Sequence, residues 1–325
     1  MTSQSAVRHL AMAIHPWNSK VRLMLMLTSY MDETGHSDDP NFHFAGMAGF
    51  VAPMETWVQF GEVWQAVLDD AEFGLTEPFH MKDFAHFQGQ FKDGWKEDEP
   101  KRRRLFSKLI ASIVDAKLIP MGAIVSIEDF RSLTKCQQDS FDDPYFIAFQ
   151  HVTKGAALTA CDLPNETVAM VYSYNEERGT IQSELYSVNQ AGNAEQLWHQ
   201  MKALKLYGKW MGSYASDSPA RLVQLQAADL FAYELAKEFE NQLTRPQDGM
   251  RWGLQQILTL VEHPFLPQLY DRRELLRAVK GGNFPCRTGL EELGDNDEAN
   301  MVSAFERMLR WMKERGKVKR IRVRP

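Results

Sequence analysis

The sequence is poor in cysteine and has no long apolar run. Its 325 residues include three cysteines, Cys136, Cys161 and Cys286, which are widely separated and odd in number. This pattern favours neither a disulfide framework nor a CxxC metal site, and a reducing cytoplasm is the simplest compartment for it. The most apolar stretch near the start, residues 21–31, is too short to span a bilayer and is followed by no A-x-A-like cleavage site. We interpret it as a core strand and expect no membrane partner.

Several catalytic signatures are missing. The chain contains no G-x-x-x-x-G-K-[ST], no G-x-S-x-G, no H-E-x-x-H and no G-x-G-x-x-G that opens a helix. P-loop nucleotide hydrolysis and serine hydrolase chemistry are therefore disfavoured. An excess of positive charge is missing as well, since the formal net charge is -6. This argues against non-specific coating of nucleic acid by the whole surface, although local basic patches stay open.

The remaining composition is that of a globular chain, with 44% hydrophobic and 25% charged residues. Its length exceeds that of the usual single domain. We predict an N-terminal arm at residues 1–22, an α/β domain at 23–244, and a helical C-terminal extension with a basic tail at 245–325.

Hydrophobic spacing predicts the elements of the α/β domain. Strands at 23–31 and 42–52 are separated by a short polar turn, which is typical of a hairpin. Pro53 opens a predicted helix, and a second helix over 105–114 follows a basic first turn. Asp217 or Ser218 caps a predicted helix that runs to about residue 241. Further strands are predicted at 118–127, 167–174 and 212–216, and further helices at 145–160, 181–189 and 194–206. A hairpin followed by alternating strands and helices indicates a mixed sheet flanked by helices.

Two acidic motifs lie far apart in the sequence, YMDETG at residues 30–35 and LQAADL at residues 225–230. A buried aspartate needs a compensating partner, and a divalent cation would serve both motifs if they meet in the fold. Alternation along a strand sends Asp32 and Glu33 to opposite faces, so we choose Asp32 for the shared site, with Glu33 beside it or reached by a bend. The alternatives are a solvated turn at Asp32 and an Asp229 that binds a nearby backbone group.

Two further groups could join such a site. Glu176 and Glu177 follow the strand predicted at 167–174 and would be delivered beside the first strand if the two strands pair. His80 and Asp83 are three residues apart, a spacing that places both on one face of a helical turn. Zinc is an alternative for the histidines, but no cysteine is nearby to complete its ligands. A histidine among aromatic residues can also be an ordinary core residue.

Residues 30–35 with the following strand, then 79–84, 171–178 and 213–235, resemble in this order the motifs of the domain-of-unknown-function family 3800. Its members show a Y-x-D-E-S-G start, an H-x-x-D-like element, a late strand that ends in acidic residues, and an L-Q-x-A-D-L helix. The resemblance covers roughly residues 23–240. The chain departs from the pattern at Thr34, where serine is commoner, and at Asn175, where Asp-Glu is commoner than Asn175-Glu176.

The resemblance implies a ribonuclease H-like fold, which also has the predicted order of elements, and a metal-dependent nuclease of the kind suspected of defence against mobile elements. Asp32 matches the aspartate of the first strand, Asp229 that of the helix, and Glu176 is our choice for the acid of the late strand.

Our hypothesis is that Asp32, Glu176 and Asp229 hold one or two Mg²⁺ or Mn²⁺ ions, with Glu33 or Asp83 as further acidic groups. His80 would orient a water or shuttle a proton. The alternative is a non-catalytic ribonuclease H-like module that binds nucleic acid or a protein partner. For contact with a phosphate backbone we predict basic residues in two places. They are Lys101, Arg102, Arg103 and Arg104, and in the tail Arg320 and Arg322.

Overall fold

We describe a computed structural model of the chain at residues 27–35, 43–141, 143–160, 167–173, 198–199, 201–203, 208–245, 247–259 and 267–281. In these ranges the chain forms one mixed sheet with helices on both of its faces. The α/β class predicted from the sequence is therefore confirmed.

The sheet has six strands in the order β5-β4-β1-β2-β3-β6. Strand β2 is antiparallel to its neighbours β1 and β3, while β4 pairs parallel with β1, β5 parallel with β4, and β6 parallel with β3. All strands except β2 thus point the same way, and their carboxyl ends meet at one edge. The strands are Leu27–Thr34 (β1), Phe44–Pro53 (β2), Ile119–Ser126 (β3), Val168–Ser173 (β4), Met211–Asp217 (β5) and Gln268–Tyr270 (β6).

Nine α-helices are described in these ranges. They are Met54–Leu68 (α1), Met81–His86 (α2), Glu99–Asp115 (α3), Ile127–Arg131 (α4), Lys135–Phe141 (α5), Pro144–Thr159 (α6), Val223–Thr244 (α7), Trp252–Leu258 (α8) and Arg272–Gly281 (α9). Single 3₁₀ turns are formed by Gly89–Phe91 and Gly208–Trp210.

Side chains alternate between two apolar cores, one on each face of the sheet. On β1, Tyr30 belongs to the core that α1, α2, α3, α7 and α8 cover, which we call the first face. Its neighbour Met31 belongs to the core on the opposite, second face, which is covered by α4, α5, α6 and α9. Because the period of a strand is two, Asp32 shares the first face with Tyr30, and Glu33 shares the second face with Met31.

The hairpin and most predicted elements are confirmed, and their ends move by a few residues. The clearest difference is the start of α7. We predicted a cap at Asp217 or Ser218, but the helix begins at Val223 and its N-cap, Leu222, provides no side-chain hydrogen bond. The Ser218 carbonyl instead accepts from the amides of Arg221 and Leu222, which forms a separate turn before the helix. The helix predicted at 181–189 lies outside the described residues.

The extension predicted as helical contributes a strand to the sheet. Residues 268–270 pair with β3 as β6, which was not predicted. Arg251, just before α8, donates from Nε to the buried carboxylate of Glu234 on α7 at 3.0 Å, and its amide donates to Glu238 at 2.8 Å. The described part of the extension therefore packs into the domain.

Two further observations concern the helices and the cysteines. None of the helices in the described ranges is long and apolar enough to cross a membrane. Cys136 on α5 is disulfide-bonded, although the cysteine pattern of the sequence did not favour a disulfide framework. A cytoplasmic location stays a prediction.

Candidate functional site

The candidate site lies at the carboxyl edge of the sheet, where β1 and β4 are neighbours. From β1 the chain adds β2 and β3 toward one end of the sheet. From β4 it adds β5 toward the other end, so the direction of the chain switches between β1 and β4. Ligands of open α/β sheets bind beyond the carboxyl ends of strands at such a switch of direction. Asp32 lies near the end of β1, and Ser173 ends β4. These two residues are therefore candidates for ligand contact by position alone.

Asp32 projects from the first face and is partly buried. Its Oδ1 accepts a hydrogen bond from the Glu33 amide at 2.9 Å, and the Ser173 hydroxyl donates to the same carboxylate. These two hydrogen bonds favour the charged form of Asp32. Burial, and after it the charges of Asp229 and Glu33, disfavour the charged form more strongly. The pKa of Asp32 is consequently raised well above its usual value.

Asp229 reaches the same face from α7, which packs across β1 and β2. Its side chain is buried, and Oδ2 accepts from the Met81 amide at 2.6 Å. Burial raises the pKa of Asp229, while His80 and the Met81 amide oppose that rise. The structure therefore places Asp32 and Asp229 on one face, where the charge of Asp229 raises the pKa of Asp32. It also shows the backbone interaction that we considered as the alternative reading of Asp229.

His80 lies between two carboxylates. Its Nδ1 is 3.7 Å from Oδ2 of Asp83, and its Nε2 is 4.0 Å from Oδ1 of Asp229. Both the His80 and the Asp83 side chains are accessible, at 43% and 37% exposure. Residue 80 is the N-cap of the short helix α2, so Asp83 lies on a helical turn as its spacing predicted. His80 thus lies near both Asp83 and Asp229.

Glu33 lies apart from this group. Its Oε2 accepts a hydrogen bond at 3.1 Å from the hydroxyl of Tyr172, a residue of the second-face core. Burial and the charge of Glu33 raise the pKa of Tyr172 well above its usual value, so the phenol keeps its proton. Glu33 lies on the second face beside Asp32, and its charge raises the pKa of Asp32. A ligand role for Glu33 stays a prediction.

The basic cluster at residues 101–104 is largely matched by local acids. Arg102 and Arg103 form ion pairs with Glu99, and Arg104 pairs with Glu72. Lys101 lies over the ring of Trp95, at 4.2 Å from its centroid.

The helix that carries this cluster, α3, also starts earlier than predicted. Asp98 is its N-cap and Glu99 its first residue, so acidic groups occupy the end that we expected to be basic. A nucleic acid partner stays a prediction.

The predicted third ligand, Glu176, and the tail residues Arg320 and Arg322 lie outside the described residues. Within the described ranges, no three His, Cys, Asp or Glu side chains are grouped so that they could hold a metal ion. His86 contacts the hydroxyl of Tyr233 at 3.3 Å instead. A complete ligand set, for magnesium or for zinc, stays a prediction.

Three residues of this region were not found from the sequence. Ser173 donates to Asp32, Tyr172 binds Glu33, and Gln226 binds the segment that precedes His80. The signal for Ser173 was its hydroxyl side chain at the end of a strand that was considered as a partner of β1. Gln226 carried a signal in the LQAADL motif itself, since a second polar residue lies one turn before Asp229 on an apolar helix face.

Comparison with known proteins finds no family model that matches the chain and no matching curated protein. The resemblance to family 3800 therefore stays a prediction.

Proposed function

We propose that the chain is a metal-dependent nuclease that hydrolyses phosphodiester bonds of RNA or DNA. The observation that supports this most is the convergence of Asp32 and Asp229 on one face, at the switch point of the sheet. Burial penalises both negative charges, and the charge of Asp229 penalises Asp32 further. A fold that keeps two carboxyl groups under these conditions favours a positively charged ligand between them.

The donor chemistry fits Mg²⁺ or Mn²⁺, because both described groups are carboxylates and these ions prefer hard oxygen ligands. Asp32 and Asp229 would hold the ion, and Glu176 is the proposed third ligand. When bound, such an ion supplies water activation and stabilisation of charge at the phosphate.

The residues of the chain prepare this site in distinct ways. Ser173 and the Glu33 amide fix the carboxylate of Asp32. Met81 holds Oδ2 of Asp229, so that Oδ1 is the oxygen that lies nearer His80. The accessible imidazole of His80 is placed to bind a water or transfer a proton beside that oxygen.

The strand order also supports the proposed ribonuclease H-like fold. A hairpin, β1 with β2, is extended by β3, and the chain then adds β4 and β5 parallel to β1 on the other side. This is the sequence of elements from which we predicted that fold.

The test is incubation of the purified protein with labelled single- and double-stranded RNA and DNA in Mg²⁺ or Mn²⁺. We expect Asp32→Asn to abolish cleavage, because the amide keeps the shape of the side chain and loses its charge. Asp115→Asn is the control, since Asp115 is an exposed carboxylate at the end of α3, near the amino end of β3. Cleavage that survives Asp32→Asn at the wild-type rate would reject the proposal.

A second candidate is a ribonuclease H-like module that binds nucleic acid or a protein partner without catalysis. Two observations favour it, the structural use of Asp229 as an acceptor for Met81 and the local pairing of the arginines. Titration with Mn²⁺ separates the two candidates. A metal centre predicts a higher melting temperature in the presence of the ion, and an inert scaffold predicts no change.

A further inference from the structure

Gln226 is a buried glutamine on α7, one helical turn before Asp229, and both ends of its carboxamide are used. Oε1 accepts from the Trp64 indole at 3.1 Å and from the Phe79 amide at 3.3 Å. Nε2 donates to the Pro219 carbonyl at 2.8 Å. The side chain thus links α1, the turn that precedes α7 and the segment that leads to His80.

Together Gln226 and Asp229 hold an extended stretch of backbone at two alternate amides. The Phe79 amide donates to Gln226 and the Met81 amide donates to Asp229. The residue between them, His80, is extended, with φ -131° and ψ 120°. In extended backbone the amides of residues i and i+2 point in the same direction, so the two bonds together fix the plane of this segment.

The preceding part of the loop is held by a second glutamine side chain, Gln90. Oε1 of Gln90 accepts from the amides of Thr76 and Glu77, and its Nε2 donates to the carbonyls of Glu77 and Pro78. At the next residue, the Phe79 amide donates to Gln226. The backbone is therefore held continuously up to His80, although His80 itself has no short contact with either neighbouring carboxylate.

We propose that Gln226 is a positioning residue, which fixes the segment from Phe79 to Met81 so that the His80 imidazole lies between Asp83 and Asp229. The catalytic consequence rests on the proposed nuclease function, whereas the placement of the segment does not. A glutamine that served only to fill the core would have no specific effect on His80.

The chain offers a matched control for this proposal. Gln224 is also buried on α7, two residues earlier, and its Nε2 donates to the Trp57 carbonyl at 3.1 Å. Methionine has the length of glutamine but cannot form these hydrogen bonds. Gln226→Met and Gln224→Met therefore remove a buried carboxamide from the same helix, and only the first removes contact with the Phe79 amide.

The first measurement is amide hydrogen exchange of the full-length protein, which does not depend on nuclease activity. We expect Gln226→Met to speed exchange at Phe79 and Met81 by about tenfold or more, and Gln224→Met to leave both amides as in the wild type. In the NMR spectrum, the indole N–H resonance of Trp64, assigned with the variant Trp64→Phe, should change its chemical shift in Gln226→Met and not in Gln224→Met. Unchanged exchange at both amides in Gln226→Met would overturn the positioning role.

The second measurement is steady-state cleavage kinetics. We expect Gln226→Met to lower kcat by about 10- to 100-fold with little change in KM, because His80 is displaced and substrate contacts elsewhere are kept. In a His80→Ala background, Gln226→Met should cause no further loss, whereas a general structural defect would add to it. Additive losses would overturn the positioning role.

The two proposals fail in different ways. A wild-type protein that cleaves no nucleic acid rejects the nuclease function, and the exchange data then decide the positioning role alone.

Discussion

Ionisation of the Asp32 carboxyl group is unfavourable in the folded chain, because burial and the charge of Asp229 oppose it. A carboxyl group whose pKa is higher in the folded than in the unfolded state binds protons more tightly when folded. Its contribution to stability is therefore lost as the pH rises from the unfolded value, near 4, through the raised folded value. The metal-free protein should carry a stability cost at neutral pH that originates in this residue.

Asp32→Asn should remove that cost. Without metal, we expect the variant to melt at a higher temperature than the wild type at pH 7.5, by about 2–4 °C for each kcal/mol of relieved repulsion. Thermal unfolding measured by circular dichroism at pH 7.5 and pH 5 provides the test. The gain should shrink at pH 5, where more of the wild-type carboxyl group is protonated. An equal loss of stability at both pH values would show instead that the carboxylate is stabilising.

Asp229 combines two tasks that substitution can separate. Asp229→Asn keeps an oxygen that can accept from the Met81 amide but removes the charge, whereas Asp229→Ala removes both. We expect both variants to lose cleavage, and only Asp229→Ala to lose about 1–3 kcal/mol of stability through the unsatisfied buried amide. Urea unfolding measures this difference. Equal stability of the two variants would mean that the bond to Met81 contributes little.

Among the elements, helix α3 shows how the start of a helix can be misplaced by a few residues when it is predicted from local sequence. The run from Lys101 to Arg104 suggested a basic first turn, yet the helix begins at Glu99, and the Asp98 side chain accepts from the Lys101 amide at 2.9 Å. The negative cap complements the helix dipole, and Glu99 offsets the positive turn that follows through its ion pairs with Arg102 and Arg103.

This cap can be tested directly. Asp98→Ala should destabilise the protein by about 1 kcal/mol, because it leaves an amide of the first turn without its acceptor. Denaturant titration of the variant measures the loss. Asp98→Asn is the control, since asparagine is an equally good cap and should retain most of the stability. If both variants unfold like the wild type, the contact with the Lys101 amide does not stabilise α3.

The elements that the sequence predicts well are those with a long apolar period. β2 and α6 have apolar residues along most of their length, so pattern alone places them within a few residues. Helix α2 has six residues, too few for a period, and its first amide is bonded by Asp229, which is 148 positions away. Strand β6 has three residues and exists only through its pairing with β3. Such elements depend on tertiary contacts that no local pattern contains.

The candidate site also has features that local sequence indicates and features that depend on tertiary contacts. Alternation along β1 separated Asp32 from Glu33, and the apolar setting of Asp229 marked it as unusual, but their meeting on one face was a hypothesis. The bonds from Ser173 to Asp32 and from Tyr172 to Glu33 depend on the register between β1 and β4, which the sequence does not specify. The hydrogen bonds of Gln226 depend likewise on where the loop from Gly74 to Gly94 packs.

For the molecule as a whole, protons and metal ions should compete for the same pair of carboxylates. Metal binding requires ionised ligands, so affinity should rise as the pH rises through their raised pKa values. We expect Mn²⁺ at 100 times its dissociation constant at pH 7.5 to stabilise the wild type by about 2.7 kcal/mol at that pH. The same Mn²⁺ concentration should stabilise it less at pH 5.5. Melting curves with and without Mn²⁺ at both pH values measure this effect.

Asp32→Asn serves as the control in these melting curves and should show no stabilisation by Mn²⁺ at either pH. A gain that is the same in this variant and in the wild type would locate metal binding elsewhere.

The ion pair between Arg251 and Glu234 also limits how the protein can be shortened. A chain cut after residue 244, at the boundary that the sequence suggests, would leave the Glu234 carboxylate inside the protein without its cation. The same cut would remove β6 and uncover the hydrogen-bonding groups along the outer side of β3, which invites pairing between molecules. Insolubility of such a fragment would report this lost support and could not be attributed to Asp32 or Asp229.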